Sequence, residues 1–422
     1  MLPARTTTPR LSGNIRADWL VVGAGFAGLA AARRLAANRP DDAIVILDAG
    51  EVGENASGRN SGFAIDVPHT VSASLRELDG SRRYMRLARA AIAHLKSVVR
   101  AHDIACAWSQ AGKYQAAVSA RGSGEMLEPF ARELEGLGEP HRWLNKTELE
   151  REIGTPYHHS AVYTPGCVLM NPAALTRGLA ATLPGTIALY ENSPVVEIAY
   201  ENGIRASTPG GAVLAPKMIL AVNGFAPAFG FLRRRLLPFH AHASLTRPLS
   251  DDEHRALGEV GEWGLTPANA FVSVTMRYTQ DRRILIRHDI NYCPSQTMRR
   301  ERQLAACAVH QELFRRRFPM LPDVEIEHTW TGFVCLSRNY APGFGRVAAN
   351  VWAAVCQNAV GVTKGTISGL LAADMACGID NELIADMESL GTPAHLPPRP
   401  FLDAGVHVRT RWDLWRARHE AR

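Results

Sequence analysis

The chain has 422 residues, 46% hydrophobic and 21% charged, with a net charge of +6. That size and balance exclude a disordered or fibrous protein and suit two closely packed domains, and no apolar run is long enough to span a membrane. The seven cysteines stand singly and form no C-x-x-C pair, which argues against a disulfide framework or zinc site and for a reducing cytoplasm. Arginine supplies the positive balance, in clusters such as Arg233–Arg235 and Arg315–Arg317. Without interleaved aromatic residues these read as a solvated surface that attracts anions, and no nucleic-acid partner is expected.

Residues 1–16 carry arginines but no apolar stretch of a secretory signal and read as a disordered lead-in. Trp19–Val22 form a short apolar strand. Gly23, Gly25 and Gly28 follow at G-x-G-x-x-G spacing, Ala27–Ala37 carry a helical pattern, and Ile44–Leu47 make a second strand ending at Asp48. This is the arrangement that binds a dinucleotide. Gly23 permits the tight turn, Gly25 lets a pyrophosphate approach the backbone, and Gly28 lets helix and strand pack closely. Phe26 and Ala27 open the helix, whose N-terminal N–H groups attract phosphate. Asp48, followed by Ala49, is placed to accept hydrogen bonds from a ribose. A second glycine-containing loop follows at Ala56-Ser57-Gly58-Arg59-Asn60-Ser61-Gly62.

That loop resembles the A-S-G-R-N-G-G signature of the FAD-dependent glycine/D-amino-acid oxidase superfamily, with Ser61 in place of a glycine. The resemblance implies FAD, not a nicotinamide cofactor, with Ser57, Gly58, Arg59, Asn60, Ser61 and Gly62 beside its pyrophosphate and flavin ring. It extends over most of residues 18–380 and is closest in pattern to the γ-glutamylputrescine oxidase branch. Trp330, Gly332, Asn339, Pro342, Gly345 and Arg346 match that branch's Trp-x-Gly and Asn-x-x-Pro-x-x-Gly-Arg pattern.

Further along, residues 82–101 repeat apolar positions at helical spacing, and residues 104–118 suggest two strands around Gly112. A helix is expected near 123–136, and another starts with Thr147 as cap and Glu150 three residues on. Asn171-Pro172 opens a helix to about residue 183. Residues 186–222 read as short strands. By resemblance, the backbone near Val195 and Val196 meets the adenine, and Ala221, Asn223 and Gly224 return the chain to the nucleotide. Alternating patterns at 240–290 predict strands, and by resemblance this segment is the family's antiparallel substrate domain, which roofs the flavin. A charged helix covers 297–318, and strands return at 324–333. Val351–Val355 form a buried strand, and Gly361 precedes a helix to about Cys377. Gly361, Val362, Thr363 and Lys364 would face the flavin pyrimidine, where the helix dipole and the Lys364 charge would stabilise the reduced ring.

The fold expected is α/β, α+β overall: a Rossmann-like FAD-binding domain with a smaller antiparallel-sheet substrate domain. The FAD-binding domain is discontinuous, at 17–80, 155–235 and 325–390. Residues 81–154 and 236–324 supply the substrate domain and helical additions, and 391–422 a C-terminal tail. The resemblance implies an enzyme that oxidises the C–N bond of an amine or amino acid by hydride transfer to flavin N5, giving an imine that water hydrolyses. A 2-hydroxy acid dehydrogenase and a flavin-carrying subunit of a heteromeric dehydrogenase remain alternatives. Candidate substrate contacts are Arg287, His288, Arg338, Asn339, Tyr340 and His69, an arginine being the natural partner of a carboxylate. The lysine with which sarcosine-oxidase relatives promote reaction with oxygen is absent near Leu285, so the acceptor is left open between O2 and a quinone or electron carrier. Cys335 is offset from the position of covalent flavin attachment, so FAD is expected to be non-covalent. His240 and His242 read as ordinary strand residues, and no metal is expected. The basic tail with Trp412 and Trp415 reads as a terminal helix packed on its own domain. The oligomeric state is open.

Overall fold

The computed structural model of the protein describes residues 8–68, 78–269 and 272–421. Trp19–Val22, buried at every residue, lies inside a six-stranded sheet. Ile44–Leu47 and Ile187–Tyr190 follow on one side, Lys217–Leu220 and Val351–Val355 on the other, all parallel. Gly343–Ala348 closes the edge antiparallel. Parallel strands covered on both faces need continuous apolar runs, which is why these segments show no alternation.

Alternate residues of these strands enter different cores. Trp19 and Val21 pack with Leu29, Ala32 and Leu35 of helix Phe26–Asn38. Leu20 and Val22 pack against Ile204, Ala206 and Val213 of a small four-stranded sheet. That second sheet corrects the expected lead-in. Gly13–Arg16 pairs in parallel with Gly211–Ala215, and Leu11 is buried with its N–H on Ser193 Oγ at 2.9 Å. Two apolar side chains, Leu11 and Ile15, suffice to dock a segment that composition alone marks as polar.

Helix Thr366–Cys377 lies against Phe26–Asn38. Their close approach requires Gly369, because an added Cβ there would lie 2.0 Å from the Ala27 carbonyl oxygen. Farther along the pair, Arg34 grips Asp374 through Nε (2.6 Å) and Nη2 (3.0 Å), and Asn38 and Asn381 donate to the same carboxylate. Burial pushes the Asp374 carboxyl up, but these hydrogen bonds outweigh it and hold the group below its ordinary range.

Facing this half is an eight-stranded sheet in the order Ile326–Leu336, Leu237–Thr246, Ile284–Tyr292, Thr275–Tyr278, Trp263–Pro267, Lys113–Ala117, Ser160–Thr164, Arg142–Asn145. It takes in Ser160–Thr164 and Ile326–Leu336, expected in the FAD-binding half. Helix Leu78–Ala101, expected among the additions to the other half, packs through Leu87 and Ala91 on Ile367, Leu370 and Leu371. Long-range pairing, not chain order, decides these memberships. Locally, only Lys113–Ala117 is a strand within 104–118, with a single bridge from Ser109 to Leu169. Helix Lys146–Ile153 is capped by Asn145 with Glu148, two residues earlier than expected, since Asn caps as well as Thr.

Candidate active site

Between the six- and eight-stranded sheets lies a cavity of about 240 Å³. The glycine turn contributes Gly25, Phe26 and Ala27, and the second loop Ser57, Arg59, Asn60 and Ser61. Ala221, Asn223 and residues 357–362 complete that side. Opposite them stand Ala241, Ala243, Thr266, Thr275, Arg287 and Ile290.

The turn is built for close approach. Gly23 has φ +102°, and a Cβ on Gly28 would lie 1.7 Å from the Gly23 carbonyl oxygen. The Phe26 N–H, an orphan donor of the first helical turn, points to Ser57 Oγ at 3.1 Å. Asp48 accepts from the Ala24 and Gly50 amides at 2.7 and 2.9 Å, and burial raises its pKa in spite of them. Asp48 and Ala49 lie outside the cavity wall, beside residues 190–193, where Ser193 N–H donates to Asp48 O at 2.8 Å. Val195 and Val196 follow that segment and also lie off the cavity, with Val196 N–H committed to Ser207 O at 2.9 Å.

The second loop is stapled in place. Asn60 donates to Ser57 O at 2.7 Å and accepts from Gly62 N–H at 2.9 Å. Trp330 Nε1 donates to Arg59 O at 2.9 Å, which ties the loop to the larger sheet. Beneath it Arg277, buried and ion-paired to buried Glu262 at 2.7 Å, donates to the Met170 carbonyl. Neither Arg277 nor Glu262 carried any local signal in the sequence, because the loop they support is about two hundred residues away in the chain.

A second unanticipated element is the turn before Gly361. Cys356, Asn358 and Ala359 all have positive φ (57°, 51° and 65°), at about 1 kcal/mol each for a residue with a Cβ. Asn358 holds the turn by donating to Tyr340 O at 2.9 Å and accepting from Ser337 N–H at 2.8 Å. The turn presents Gln357, whose Nε2, like Asn223 Oδ1 in the same cavity wall, is buried and has no hydrogen-bond partner among the described residues. One unspent donor and one unspent acceptor, with backbone-lined walls at a helix N-terminus, suit a flat heteroaromatic ring attached to a pyrophosphate. These residues therefore fit FAD.

The cavity gathers Gly25, Phe26, Ala27, Ser57, Arg59, Asn60, Ser61, Ala221, Asn223, Gly361 and Val362 from the sequence expectations. Gly23, Gly28, Gly58, Gly62, Gly224 and Thr363 shape the adjoining backbone without lining it. Lys364 is a correction: its side chain is buried on the far side of the turn, 5.5 Å over the Tyr84 ring. Helical geometry explains this: successive side chains of the turn Gly361–Gly365 point in different directions, so Gly361, Val362 and Gly365 line the cavity while Lys364 turns away from it.

The candidate substrate contacts separate sharply. Arg287 faces the cavity, and its Nη2 donates to Thr275 Oγ1, the residue directly opposite in strand register. Surrounding protein lowers its pKa to about 10. His288 points to the other face of the same strand, by simple alternation, and meets the His310 ring at 6.3 Å. Arg338 and Asn339 are exposed in the loop beyond the Ile326–Leu336 strand. Asn339 tethers the tail through Thr392 O (2.9 Å) and Ala394 N–H (3.0 Å). Tyr340 (φ 56°) also lies off the cavity. His69 lies outside the described residues. His240 and His242 are buried, rings 4.9 Å apart, with His242 Nδ1 3.0 Å from Thr331 Oγ1. Among the described residues no group of three His, Cys, Asp or Glu side chains is placed to hold a metal.

Burial lowers the Lys364 pKa to about 8. The unfolded chain holds this proton up to about pH 10.5, the folded chain only to about 8. Lys364 therefore weakens folding below pH 8, and stability recovers as pH rises from 8 towards 10.5, by at most about 3 kcal/mol. Lys364→Met is expected to raise Tm at pH 7 by about 1–3 °C and to flatten the alkaline rise. Thermal melts at pH 7 and 9.5 check this; a lowered Tm, or loss of bound flavin, would return Lys364 to the cofactor.

The model of a family described as FAD dependent oxidoreductase (DAO) matches residues 18–375. The chain belongs to this family. It is 25% identical over 416 residues to the probable oxidoreductase OrdL of Haemophilus influenzae, covering 96% of this chain and 93% of that one. It is also 25% identical over 400 residues to the gamma-glutamylputrescine oxidoreductase of Escherichia coli, with 93% and 89% covered. The fold matches the crystal structure of glycine oxidase from Geobacillus kaustophilus with a TM-score of 0.74 at 18% identity, over 91% of this chain and 100% of that one. The protein is thus an FAD-dependent oxidoreductase, and the cavity wall built from Gly25–Ala27 and Ser57–Ser61 lies within the matched region. No helix among the described residues is long and apolar enough to cross a membrane.

Proposed function

We propose that this oxidoreductase acts on the C–N bond of an amine that also carries a carboxylate, with Arg287 holding the carboxylate. The observation that supports this most directly is the placement of Arg287, a guanidinium enclosed by protein and opening onto the cavity that fits FAD. A positive charge in such a place favours an anionic partner, and the planar guanidinium binds a carboxylate bidentately. Bound FAD supplies the hydride acceptor. The chain's own residues bind and orient: Arg287 and Thr275 fix one end of the substrate, while Ala241, Ala243, Ile290, Phe333 and Val334 keep water from the other. Apart from Arg287 and Arg59 the lining is apolar or neutral and, among the described residues, offers no carboxylate, histidine or lysine as a base, which suits a substrate that arrives as the free amine and has no hydroxyl proton to surrender. A 2-hydroxy acid would fill the same anchor but needs a base for that proton, so the amine reading is preferred. The names of the E. coli relative and of the structurally similar glycine oxidase agree with it.

FAD is held without a covalent bond in this reading. Cys335 lines the cavity, but the neighbouring Cys356 thiol and its own burial keep its pKa well above the usual range, so it is a poor nucleophile. The buried free thiols also agree with a cytoplasmic location. Electrons pass on to O2 or to a quinone or carrier.

Purified holoenzyme mixed anaerobically with glycine-type secondary amines, D-amino acids, carboxylate-free diamines and 2-hydroxy acids tests the proposal. Bleaching of the flavin's visible band by amines bearing a carboxylate is expected, and acid precipitation of the same sample should leave the flavin in the supernatant. Bleaching by hydroxy acids alone would overturn the amine reading; bleaching by carboxylate-free diamines alone would overturn the Arg287 anchor.

A further inference from the structure

Helix Phe401–Arg416 buries none of its residues, yet it is pinned at both ends. Before it, Asn339 holds residues 392 and 394. On its inner side Tyr292 Oη donates to Asp403 at 2.9 Å. After it Glu420, fully buried, accepts from the Val118 and Ser119 amides at 2.8 and 3.0 Å. A helix that is fixed but uncovered presents one constant face outward.

That face is apolar. Leu402, Val406 and Thr410 are partly covered on the inner side. Phe401, Val408, Trp412 and Trp415 share the outward face at helical spacing and are 71%, 69%, 56% and 56% exposed. Exposed arginines flank it, Arg411 on one side and Arg409 and Arg416 on the other. Arg409 is paired with Asp413 at 2.8 Å, and Arg418 lies 4.9 Å from the Trp415 ring centroid.

We propose that this helix docks the enzyme on the surface of an anionic lipid bilayer, lying in the plane of the interface. Tryptophan rings favour the headgroup level, and flanking arginines complement anionic lipid. The charge pattern disfavours a second copy as occupant, since pairing this face with itself would bring the arginine flanks together. A helix about 24 Å long also offers far less than the roughly 800 Å² per partner of a stable protein interface. A bilayer requires neither shape complementarity nor that area. Attachment would be peripheral, consistent with the lack of a spanning helix among the described residues. Tyr292, which holds Asp403, lies two positions beyond the cavity residue Ile290 on the Ile284–Tyr292 strand, so docking would set this side of the cavity near the bilayer.

Sedimentation of full-length holoenzyme with vesicles tests this. With phosphatidylcholine containing about one-third phosphatidylglycerol, binding is expected to be at least about tenfold stronger than with phosphatidylcholine alone, and weaker at high salt. Trp412→Ala with Trp415→Ala, and separately Arg411→Gln with Arg416→Gln, should each weaken it by about tenfold, with flavin content and turnover in solution unchanged. The second pair leaves the apolar face intact, so a folding defect in the first does not decide the matter. Wild-type protein that stays in the supernatant with anionic vesicles, or binding that both double variants leave unchanged, overturns the proposal. A dimer seen by light scattering that the tryptophan pair dissolves, without vesicle binding, assigns the face to a second copy instead.

Discussion

Replacing Arg287 with Met is expected to weaken binding of a carboxylate-bearing substrate about 10²–10⁴-fold while leaving flavin in place. Truncating one partner of a desolvated, hydrogen-bonded charge pair costs about 3–5 kcal/mol, and each 1.4 kcal/mol is tenfold. Met retains the aliphatic part of the side chain, beside buried Thr275 on the neighbouring strand. Arg287→Lys should fall between, because an ammonium cannot make the bidentate contact. The pH dependence has a definite sign. With its pKa lowered to about 10, the guanidinium is charged below that value, so its contribution to affinity is constant from pH 7 to 9, where the substrate's own amine deprotonation raises affinity, and is lost as pH rises through about 10. Arg287→Met should lack that alkaline limb. Substrate Kd from anaerobic flavin reduction at several pH values measures both effects. A variant that binds a carboxylate substrate within about threefold of wild type would remove Arg287 from the site.

Gly369→Val is the other change with a large expected effect, although Gly369 touches no part of the cavity. An added Cβ would sit 2.0 Å from the Ala27 carbonyl oxygen and 2.9 Å from its carbon. The obstacle is backbone, so no side-chain rotation relieves it. Helix Thr366–Cys377 must move off helix Phe26–Asn38, and both helices begin at the cavity, through Phe26 at one start and the Gly361–Gly365 turn at the other. Loss of about 3 kcal/mol or more is expected, together with most of the bound flavin. Gly369→Ala should show a smaller loss of the same kind. Thermal melts and the flavin-to-protein absorbance ratio give the answer; wild-type values for Gly369→Val would mean that the two helices have room to spare.

The glycine turn at Gly23–Gly28 and the strand and helix around it were legible because each requirement there is local: a turn, a close approach, a free helix N-terminus. The Asn171-Pro172 helix start was legible for the same reason. Asn145 in place of Thr147 was a near miss among equivalent caps. The substrate contacts were harder. Arg287 and His288 are adjacent in sequence and chemically alike as candidates, and only the strand's orientation sends one to the cavity and the other to His310. Asn339 matched a motif and Arg338 and Tyr340 flank it, yet the loop they form turns away from the cavity, with Asn339 tethering the tail. Lys364 stood at the correct turn with its side chain on the wrong face.

By itself, then, the sequence determined the family, the cofactor class and the segments that hold it, because those depend on short-range spacing and on residues without side chains to misplace. Tertiary structure decided which half each strand joins, which of the five described candidate residues meets the cavity, and that Arg277, Gln357, Asn358 and Gly369 support it. Those properties follow from strand register, side-chain direction and helix packing, between segments as far apart in the chain as Ala27 and Gly369. No local pattern encodes such contacts, since they exist only once distant segments lie side by side.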